Sequence, residues 1–237
     1  MTIWFASGNV NKRKELSDIL HSAISKAAPG KEGLSFEIKM PSEAGLDFDP
    51  DEKGSTFLEN ALIKAGELYR VLKENRSAGQ NVWQQGDPVI ADDSGLCVDA
   101  LDGRPGIHSA RYSGPLDTET GSLEGGKSLS ADERNILLLG ELGDNPRRSA
   151  RFICAMVLYY GPGCFFAVQE TMEGELVKNY ESARGLGGFG YDPILYIPGL
   201  SRTVAELSEE EKNQASHRGK AGKAIANILY TKLTADD

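Results

Sequence analysis

Short apolar runs separate longer amphipathic stretches along most of the chain. The runs predict strands, and they occupy residues 3–6, 36–40, 89–91, 96–101, 151–160, 164–172 and 194–197. In the stretches between them, apolar residues recur on one face at helical spacing. These stretches predict helices over residues 11–27, 57–72, 131–142 and 220–233. Strands and helices mixed in this way are typical of an α/β protein.

Capping boxes mark two helix starts, with a hydroxyl residue three positions before a glutamate. Thr56 and Glu59 predict the start of the second helix. Ser208 and Glu211 predict another start, shortly before the last helix.

Two adjacent aspartates follow the apolar run Val89–Ala91. Side chains alternate along a strand, so Asp92 and Asp93 are expected to point to opposite sides. Ser94-Gly95 then predicts that the strand ends in a turn and that residues 96–101 return beside it. Carboxylates at the carboxyl end of a strand lie where α/β sheets bind ligands, although a plain polar turn is an equal alternative.

A Ser7-Gly8-Asn9 loop joins the first strand to the first helix. Such a joint brings backbone N–H groups and the positive end of the helix together, which favours a bound anion. Lys12 and Lys14 add positive charge in the first turn, where cations are unfavourable unless an anion is also present. A plain turn built from glycine and asparagine is the alternative.

Two glycine-rich segments match nucleotide-binding patterns without the structural context that those patterns need. Residues 121–128, GSLEGGKS, match the phosphate-loop pattern, which would use Lys127, but the preceding residues are polar and broken by proline. Residues 185–190, GLGGFG, match a dinucleotide-binding pattern, yet no strand is predicted before them and no helix after them. The first segment is therefore not predicted to be a phosphate loop, and the second is not predicted to be a dinucleotide-binding site.

The composition is that of an ordinary globular protein with a sizeable core: 237 residues, 40% hydrophobic and 26% charged. We expect one domain over residues 1–237. The net charge is −9, so the composition does not indicate a basic surface that would bind polymeric nucleic acid or an anionic membrane. An anionic ligand must therefore be bound by a few local cations and backbone N–H groups.

Three cysteines, Cys97, Cys154 and Cys164, lie in or beside apolar runs. An odd, sparse set without metal-ligand spacing predicts reduced core thiols in a cytoplasmic protein. The first ten residues contain no basic leader before a long apolar stretch, so no signal peptide is expected. No apolar run reaches about 18 residues, so no membrane span is expected.

Four separated segments, taken together and in order, resemble the inosine triphosphate pyrophosphatase (Ham1-like) family. They are residues 7–12 (SGNVNK), 91–95 (ADDSG), 188–193 (GFGYDP) and 212–218 (KNQASHR). The resemblance implies an elongated mixed β-sheet flanked by helices, two lobes with an active-site cleft between them, and a homodimer. It also implies Mg²⁺-dependent hydrolysis of non-canonical purine nucleoside triphosphates (ITP, dITP and XTP) to the monophosphate and pyrophosphate.

The resemblance implies a role for each matching residue at the phosphate end of the substrate. Asp93 matches the proton acceptor and metal-binding aspartate, and Ser94 matches a substrate contact. Glu52 is the second candidate metal ligand, or else an exposed loop carboxylate, and Lys64 either faces the phosphates or is a solvated helix lysine. Asp92 is expected to support the site without contacting substrate. The triphosphate contacts are expected at Ser7, Gly8, Asn9, Val10, Asn11 and Lys12.

The base is expected to bind the other matching segments. Phe189 is of the right type to stack on a purine. Arg218 donates only, so it suits the 6-oxo group of hypoxanthine or xanthine, whereas the 6-amino group of adenine would leave unpaired donors at a cost of about 1–3 kcal/mol. The remaining matching contacts are Gly190, Tyr191, Asp192, Lys212 and His217.

The sequence departs from the family pattern in two long excursions, at residues 76–88 and 115–131, and at His108, where an aromatic residue is common. The sequence leaves two other functions open. One is a nucleotide-binding sensor without catalysis, against which the intact Lys12, Asp93 and Ser94 argue. The other is a phosphate-loop NTPase that uses Lys127.

Overall fold

A computed structural model of the chain describes residues 1–27, 35–77, 83–114, 129–185 and 187–235. The chain divides into two compact units. Unit 1 takes in residues 1–93, 154–170 and 217–237, and unit 2 takes in residues 94–153 and 171–216. The expectation of one domain over the whole chain stays a prediction.

Within the residues that the structure describes, seven strands form one mixed sheet in the order β2-β1-β3-β4-β5-β6-β7. The strands are β1 (Thr2–Phe5), β2 (Glu37–Lys39), β3 (Val89–Val98), β4 (Ser149–Gly161), β5 (Cys164–Leu176), β6 (Leu195–Ile197) and β7 (Arg202–Thr203). Strand β1 pairs in parallel with β2 and β3, whereas β6 pairs antiparallel with β5 and β7. The predicted α/β class with a mixed sheet is confirmed.

The helices lie close to their predicted positions. They are α1 (Val10–Ala27), α2 (Phe57–Ser77), α3 (Ala131–Leu142), α4 (Glu209–Ala215) and α5 (His217–Ala235). The amide of Glu59 donates to Thr56 Oγ1, and the amide of Thr56 donates to the Glu59 carboxylate, so the first predicted capping box is confirmed. The second is confirmed in the same way between Ser208 and Glu211.

Helices cover both faces of the strands in unit 1. Ile3, Phe5 and Ile90 pack with apolar residues of α1 and α5, while the alternate residues Trp4 and Val89 pack with α2. This is the period-two alternation of strand side chains. Helices α1 and α5 approach closely at Gly222. A Cβ atom at this position would lie only 2.8 Å from Ile19 Cγ2, so a larger residue would not fit without a shift.

Unit 2 has its own apolar core. It is built from the second half of β3, from α3, from one end each of β4 and β5, and from β6. Its fully buried side chains include Leu96, Val98, Leu138, Ile194 and Leu195. A core of this kind holds the segments around residues 106–112 and 188–194 in place.

The predicted turn at Ser94-Gly95 is wrong. Strand β3 continues without interruption from Val89 to Val98, so residues 96–101 do not return as a second strand. A strand interior accepts two aspartates here because each carboxylate has buried cationic or amide partners, which the local pattern does not reveal.

Three other expectations need correction or fall outside the described residues. The surface excursion expected at residues 76–88 is wrong in part, because α2 extends to Ser77 and Trp83 is buried. Cys154 is a buried thiol, but Cys164 is exposed, so the prediction that all three cysteines lie in the core is wrong. Residues 115–128, with Lys127, are not among the described residues.

None of the helices in the described ranges combines the length and apolar character needed to cross a bilayer.

Candidate active site

The two aspartates of β3 point to opposite faces of the sheet, as predicted. Asp92 meets residues of α1 and α5, whereas Asp93 meets residues of α2. The two carboxylates therefore have separate sets of partners. Ser94 follows them inside the strand and is half-buried.

Asp92 is a buried carboxylate held by two cations. Lys12 Nζ lies 3.2 and 3.1 Å from its two oxygens, and Arg218 donates to Asp92 Oδ2 from Nε at 3.3 Å and from Nη2 at 3.1 Å. Burial alone would raise the pKa of Asp92, but Lys12 and Arg218 outweigh it and hold that pKa below its ordinary value. Asp92 is therefore ionised and holds the Lys12 and Arg218 side chains in place.

Arg218 links three elements through its guanidinium. Besides Asp92 on β3, it donates from Nη1 to Glu15 Oε2 on α1 at 2.5 Å. Burial by itself would lower the pKa of Arg218, but the two carboxylates raise it instead. The structure thus places Arg218 in a buried ion-pair network of unit 1, with His217 buried beside it at the start of α5. Sequence reasoning missed Glu15, although it lies on the same helix face as Lys12, three residues away.

Asp93 faces a lysine, an asparagine and a second carboxylate. Lys64 Nζ lies 2.9 Å from Asp93 Oδ1 and 3.2 Å from Glu52 Oε2, and Asn60 Nδ2 donates to Asp93 Oδ2 at 3.2 Å. Burial opposes the charge of Lys64, but Asp93, Asp92 and Glu52 together raise its pKa. Lys64 is therefore a buried cation between two carboxylates and not a solvated helix lysine.

Asn60 also anchors the loop that carries Glu52. Its Oδ1 accepts a hydrogen bond from the backbone N–H of Gly54 at 2.8 Å, while its Nδ2 holds Asp93. Sequence reasoning gave Asn60 no role. Within the described part of the chain, no group of three or more His, Cys, Asp or Glu side chains is arranged to hold a metal ion.

The loop before α1 is ordered by its own side chains. Asn9 Oδ1 accepts from the backbone N–H of Asn11 at 2.9 Å and of Lys12 at 3.2 Å, which makes Asn9 the N-cap of the helix. Ser7 Oγ accepts from the N–H of Asn9 at 3.1 Å. Gly8, Asn9, Val10 and Asn11 are exposed, while Ser7 and Lys12 are half-buried.

A second cluster in unit 2 contains the predicted base contacts Phe189, Asp192 and Lys212. The buried carboxylate of Asp192 accepts from Lys212 Nζ at 2.9 Å and from the backbone N–H of Phe189 at 2.7 Å. The Lys212 ammonium also lies 4.7 Å from the centroid of the half-buried Phe189 ring. One carboxylate, that of Asp192, therefore holds the backbone of Phe189 and a cation that lies over the Phe189 ring.

Further contacts hold the turn around Phe189. The buried Tyr191 hydroxyl donates to the backbone oxygen of Ser109 at 2.9 Å, and burial raises the pKa of this phenol. Asn135 on α3 donates from Nδ2 to the backbone oxygen of Gly190 at 3.1 Å. Sequence reasoning missed Asn135, because it lies within an apolar helix face. The glycine pattern at residues 185–190, which resembles a dinucleotide-binding motif, is followed by a turn and then by β6. No α-helix follows it directly, as a dinucleotide-binding site would require.

The chain resembles known proteins along nearly its whole length. A sequence model of the Ham1 family matches residues 3–228. The dITP/XTP pyrophosphatase of Treponema denticola is 44% identical over 229 residues, which cover 97% of this chain and 98% of that protein. The dITP/XTP pyrophosphatase of Geobacillus kaustophilus is 46% identical over 183 residues, which cover 74% of this chain and 76% of that protein.

Solved structures show the same similarity. A HAM1 protein from Coxiella burnetii superposes with a TM-score of 0.73 at 33% identity, over 97% of this chain and 98% of that one. The Ham1 protein of Staphylococcus aureus superposes with a TM-score of 0.68 at 35% identity, over the full length of both chains.

Proposed function

Because the chain belongs to the Ham1 family, we propose that it hydrolyses non-canonical purine nucleoside triphosphates (ITP, dITP and XTP) to the monophosphate and pyrophosphate. One observation carries the proposal: the Asp93–Lys64–Glu52 cluster, in which Asp93 and Lys64 are buried, occurs in a chain that aligns over 97% of its length with a dITP/XTP pyrophosphatase. This cluster can activate water beside a phosphate, which a passive nucleotide sensor does not need. The sensor and the phosphate-loop NTPase are therefore not favoured.

We propose Mg²⁺ as the cofactor and Asp93 and Glu52 as its protein ligands. Their carboxylates already share one cation, the Lys64 ammonium, so the donor set suits a positive charge at this position. Mg²⁺ commonly uses one or two carboxylates together with water and substrate phosphates, so two protein ligands are sufficient. When bound, Mg²⁺ would offset charge on the phosphate oxygens.

Asp93 is proposed to accept the proton of the attacking water. Each carboxylate oxygen has two lone pairs, so Asp93 can accept from water while it keeps its bonds to Lys64 and Asn60. Those two bonds hold the carboxylate in one orientation, which general-base catalysis requires. Lys64 is proposed to stay protonated and to balance negative charge beside the reacting phosphate.

The triphosphate is proposed to bind the loop before α1 through Ser7, Gly8, Asn9, Val10, Asn11 and Lys12. The start of α1 supplies the positive end of the helix, which favours an anion. Lys12 adds an ammonium group that Asp92 holds in place. Ser94 remains a proposed substrate contact beside Asp93.

The base is proposed to stack on Phe189 beside Lys212, with Gly190, Tyr191 and Asp192 shaping this site. His217 and Arg218 remain proposed substrate contacts. Arg218 already donates from all three guanidinium nitrogens to Asp92 and Glu15, so we propose that its main contribution is to hold these two carboxylates. A 6-oxo contact would then come from an additional N–H of the same group.

We also propose that the protein is a cytoplasmic homodimer. The family resemblance supports the dimer, and three free cysteines support a reducing compartment. Sedimentation velocity of the purified protein tests the dimer.

The activity is tested by pyrophosphate release across a panel of ITP, XTP, dITP, GTP, ATP and CTP. We expect ITP, XTP and dITP to be cleaved far faster than ATP or CTP with Mg²⁺ present, and no turnover after chelation by EDTA. Equal efficiency on ATP and ITP would refute the substrate class. Full activity in EDTA would refute only the metal requirement.

A further inference from the structure

A buried asparagine on α3 holds the turn that carries Phe189. The Asn135 side chain is 0% exposed, and its Nδ2 donates to the backbone oxygen of Gly190 at 3.1 Å. Both residues belong to unit 2. Asn135 lies too deep to meet a nucleotide, so any effect on substrate must act through the turn.

The turn depends on such outside contacts, because glycines flank Phe189. Gly188 and Gly190 adopt φ values of +75° and +67°, in the left-handed region where glycine has no steric penalty. Glycine also leaves the backbone free to adopt many other conformations. Hydrogen bonds on either side of the ring limit that freedom: Asp192 accepts from the N–H of Phe189, and Asn135 donates to the oxygen of Gly190.

Asn135 does not serve the core in which it lies. Its neighbours along the same helix face, Leu138, Leu139 and Leu142, belong to the apolar core of unit 2. Its Oδ1 is buried and finds no hydrogen-bond partner among the residues described. Burying an amide oxygen in this way is unfavourable, and leucine would fill a similar volume without that cost. What asparagine supplies here, and leucine cannot, is a donor for Gly190.

We propose that Asn135 is a positioning residue for base recognition, which acts by fixing the Gly188–Asp192 turn so that the Phe189 ring stays beside the Lys212 ammonium. The inference rests on the proposed function for the role of Phe189. A ring that is already ordered loses less conformational freedom when a base stacks on it, so binding is tighter. Removing the Asn135 bond should therefore weaken nucleotide binding and leave the chemical step intact.

The first test compares Asn135→Leu with Leu138→Ala, a core substitution on the same helix that leaves the Asn135–Gly190 hydrogen bond in place. Loss of one hydrogen bond predicts a rise in KM for ITP of about tenfold in Asn135→Leu. We expect kcat to change by less than about twofold, because the lost contact stabilises the bound substrate and the transition state equally. Leu138→Ala should lower Tm and leave KM unchanged. An unchanged KM in Asn135→Leu would overturn the proposal.

A double-mutant cycle shows whether Asn135 acts through Phe189. In the Phe189→Ala background, Asn135→Leu should have almost no further effect on KM, because the ring that it positions is gone. Independent, multiplying effects of the two substitutions would overturn the proposal and leave Asn135 a purely structural residue.

Amide hydrogen exchange tests the turn without any nucleotide. Peptides that cover residues 187–192 should exchange about tenfold faster in Asn135→Leu than in wild type, since the turn loses one of its restraints. Leu138→Ala controls for global destabilisation. Unchanged exchange in the turn would overturn the proposal whatever the substrate is. Wild-type protein that releases no pyrophosphate from ITP would refute the proposed function and with it the base-recognition role, while exchange still decides whether Asn135 orders the turn.

Discussion

The guanidinium of Arg218 lies against the carboxylate of Asp92, which is 126 residues earlier in the chain, at an Nη2–Oδ2 distance of 3.1 Å. The two side chains are 2% and 0% exposed. Ion pairs this deeply buried are costly to break, because removing one partner leaves the other charged and without water. The pair joins β3 to α5, and through Glu15 it also joins α5 to α1.

We predict that Arg218→Ala destabilises the protein by about 3–5 kcal/mol, since the buried carboxylate of Asp92 loses one of the cations that hold it. Urea unfolding measures the effect. Arg70→Ala is the matched control, because Arg70 forms ion pairs with Glu67 and Glu74 on the surface of α2 and its loss should change little. Equal effects of the two substitutions would contradict the importance of the buried pair.

The same pair predicts a dependence of stability on pH. The pKa of Asp92 is lowered from its ordinary value of 3.8, so the ionised carboxylate contributes stability above that pH. This contribution is lost as the pH falls below the ordinary value and towards the lowered pKa of the folded state. The difference in unfolding free energy between wild type and Arg218→Ala should therefore shrink as the pH falls below about 4. A difference that stays constant from pH 7 to pH 3 would mean that Asp92 is not the group involved.

Asp93→Asn should remove most turnover and leave nucleotide binding. A general base typically contributes about 10²–10⁴-fold to the rate, and asparagine keeps the shape of the side chain but cannot accept the proton. Pyrophosphate release measures the first effect, and calorimetric titration with ITP in EDTA measures the second. Asp51→Asn, an exposed carboxylate next to Glu52, is the control and should behave as wild type. Wild-type turnover in Asp93→Asn would refute the assignment.

Lys212→Met should reduce the preference for ITP over ATP. The substitution keeps the length of the side chain but removes the ammonium group that lies beside Phe189 and against Asp192. We expect the ratio of kcat/KM values for the two substrates to fall by about tenfold, as for one charge-assisted hydrogen bond. Lys220→Met, at an exposed position on α5, is the control. A preserved ratio would place base discrimination elsewhere.

Lys12 and Lys127 distinguish the two possible phosphate sites. Lys12→Ala should weaken substrate binding by about 1.5–3 kcal/mol, the range for a charge-assisted contact, whereas Lys127→Ala should be nearly silent. Hydrolysis in ¹⁸O-water, followed by mass spectrometry, supplies an independent readout. Attack at the α-phosphorus labels the monophosphate, and attack at the γ-phosphorus labels orthophosphate. Labelled orthophosphate together with an inactive Lys127→Ala variant would show that residues 121–128 form a phosphate loop and bind the triphosphate.

Local patterns in the sequence determined most of the elements of this protein. The bounds of α3 were predicted to the residue, and both capping boxes form as expected, because a cap involves only residues three positions apart. The alternation of Asp92 and Asp93 was also predictable, since it follows from the period of a strand. The four matching segments were sufficient for the family, although each of them is short.

Only the tertiary structure decided which partners the buried charged and amide side chains have. The sequence predicted a turn after Asp93, because two aspartates, a serine and a glycine are typical turn residues. The strand continues instead, because Lys12, Lys64 and Arg218 reach these carboxylates from α1, α2 and α5. Likewise Asn135 finds its partner only in the fold, because Gly190 lies 55 residues later in the chain. A buried charge or amide is stable only beside its partner, and partners so distant in sequence leave no local pattern.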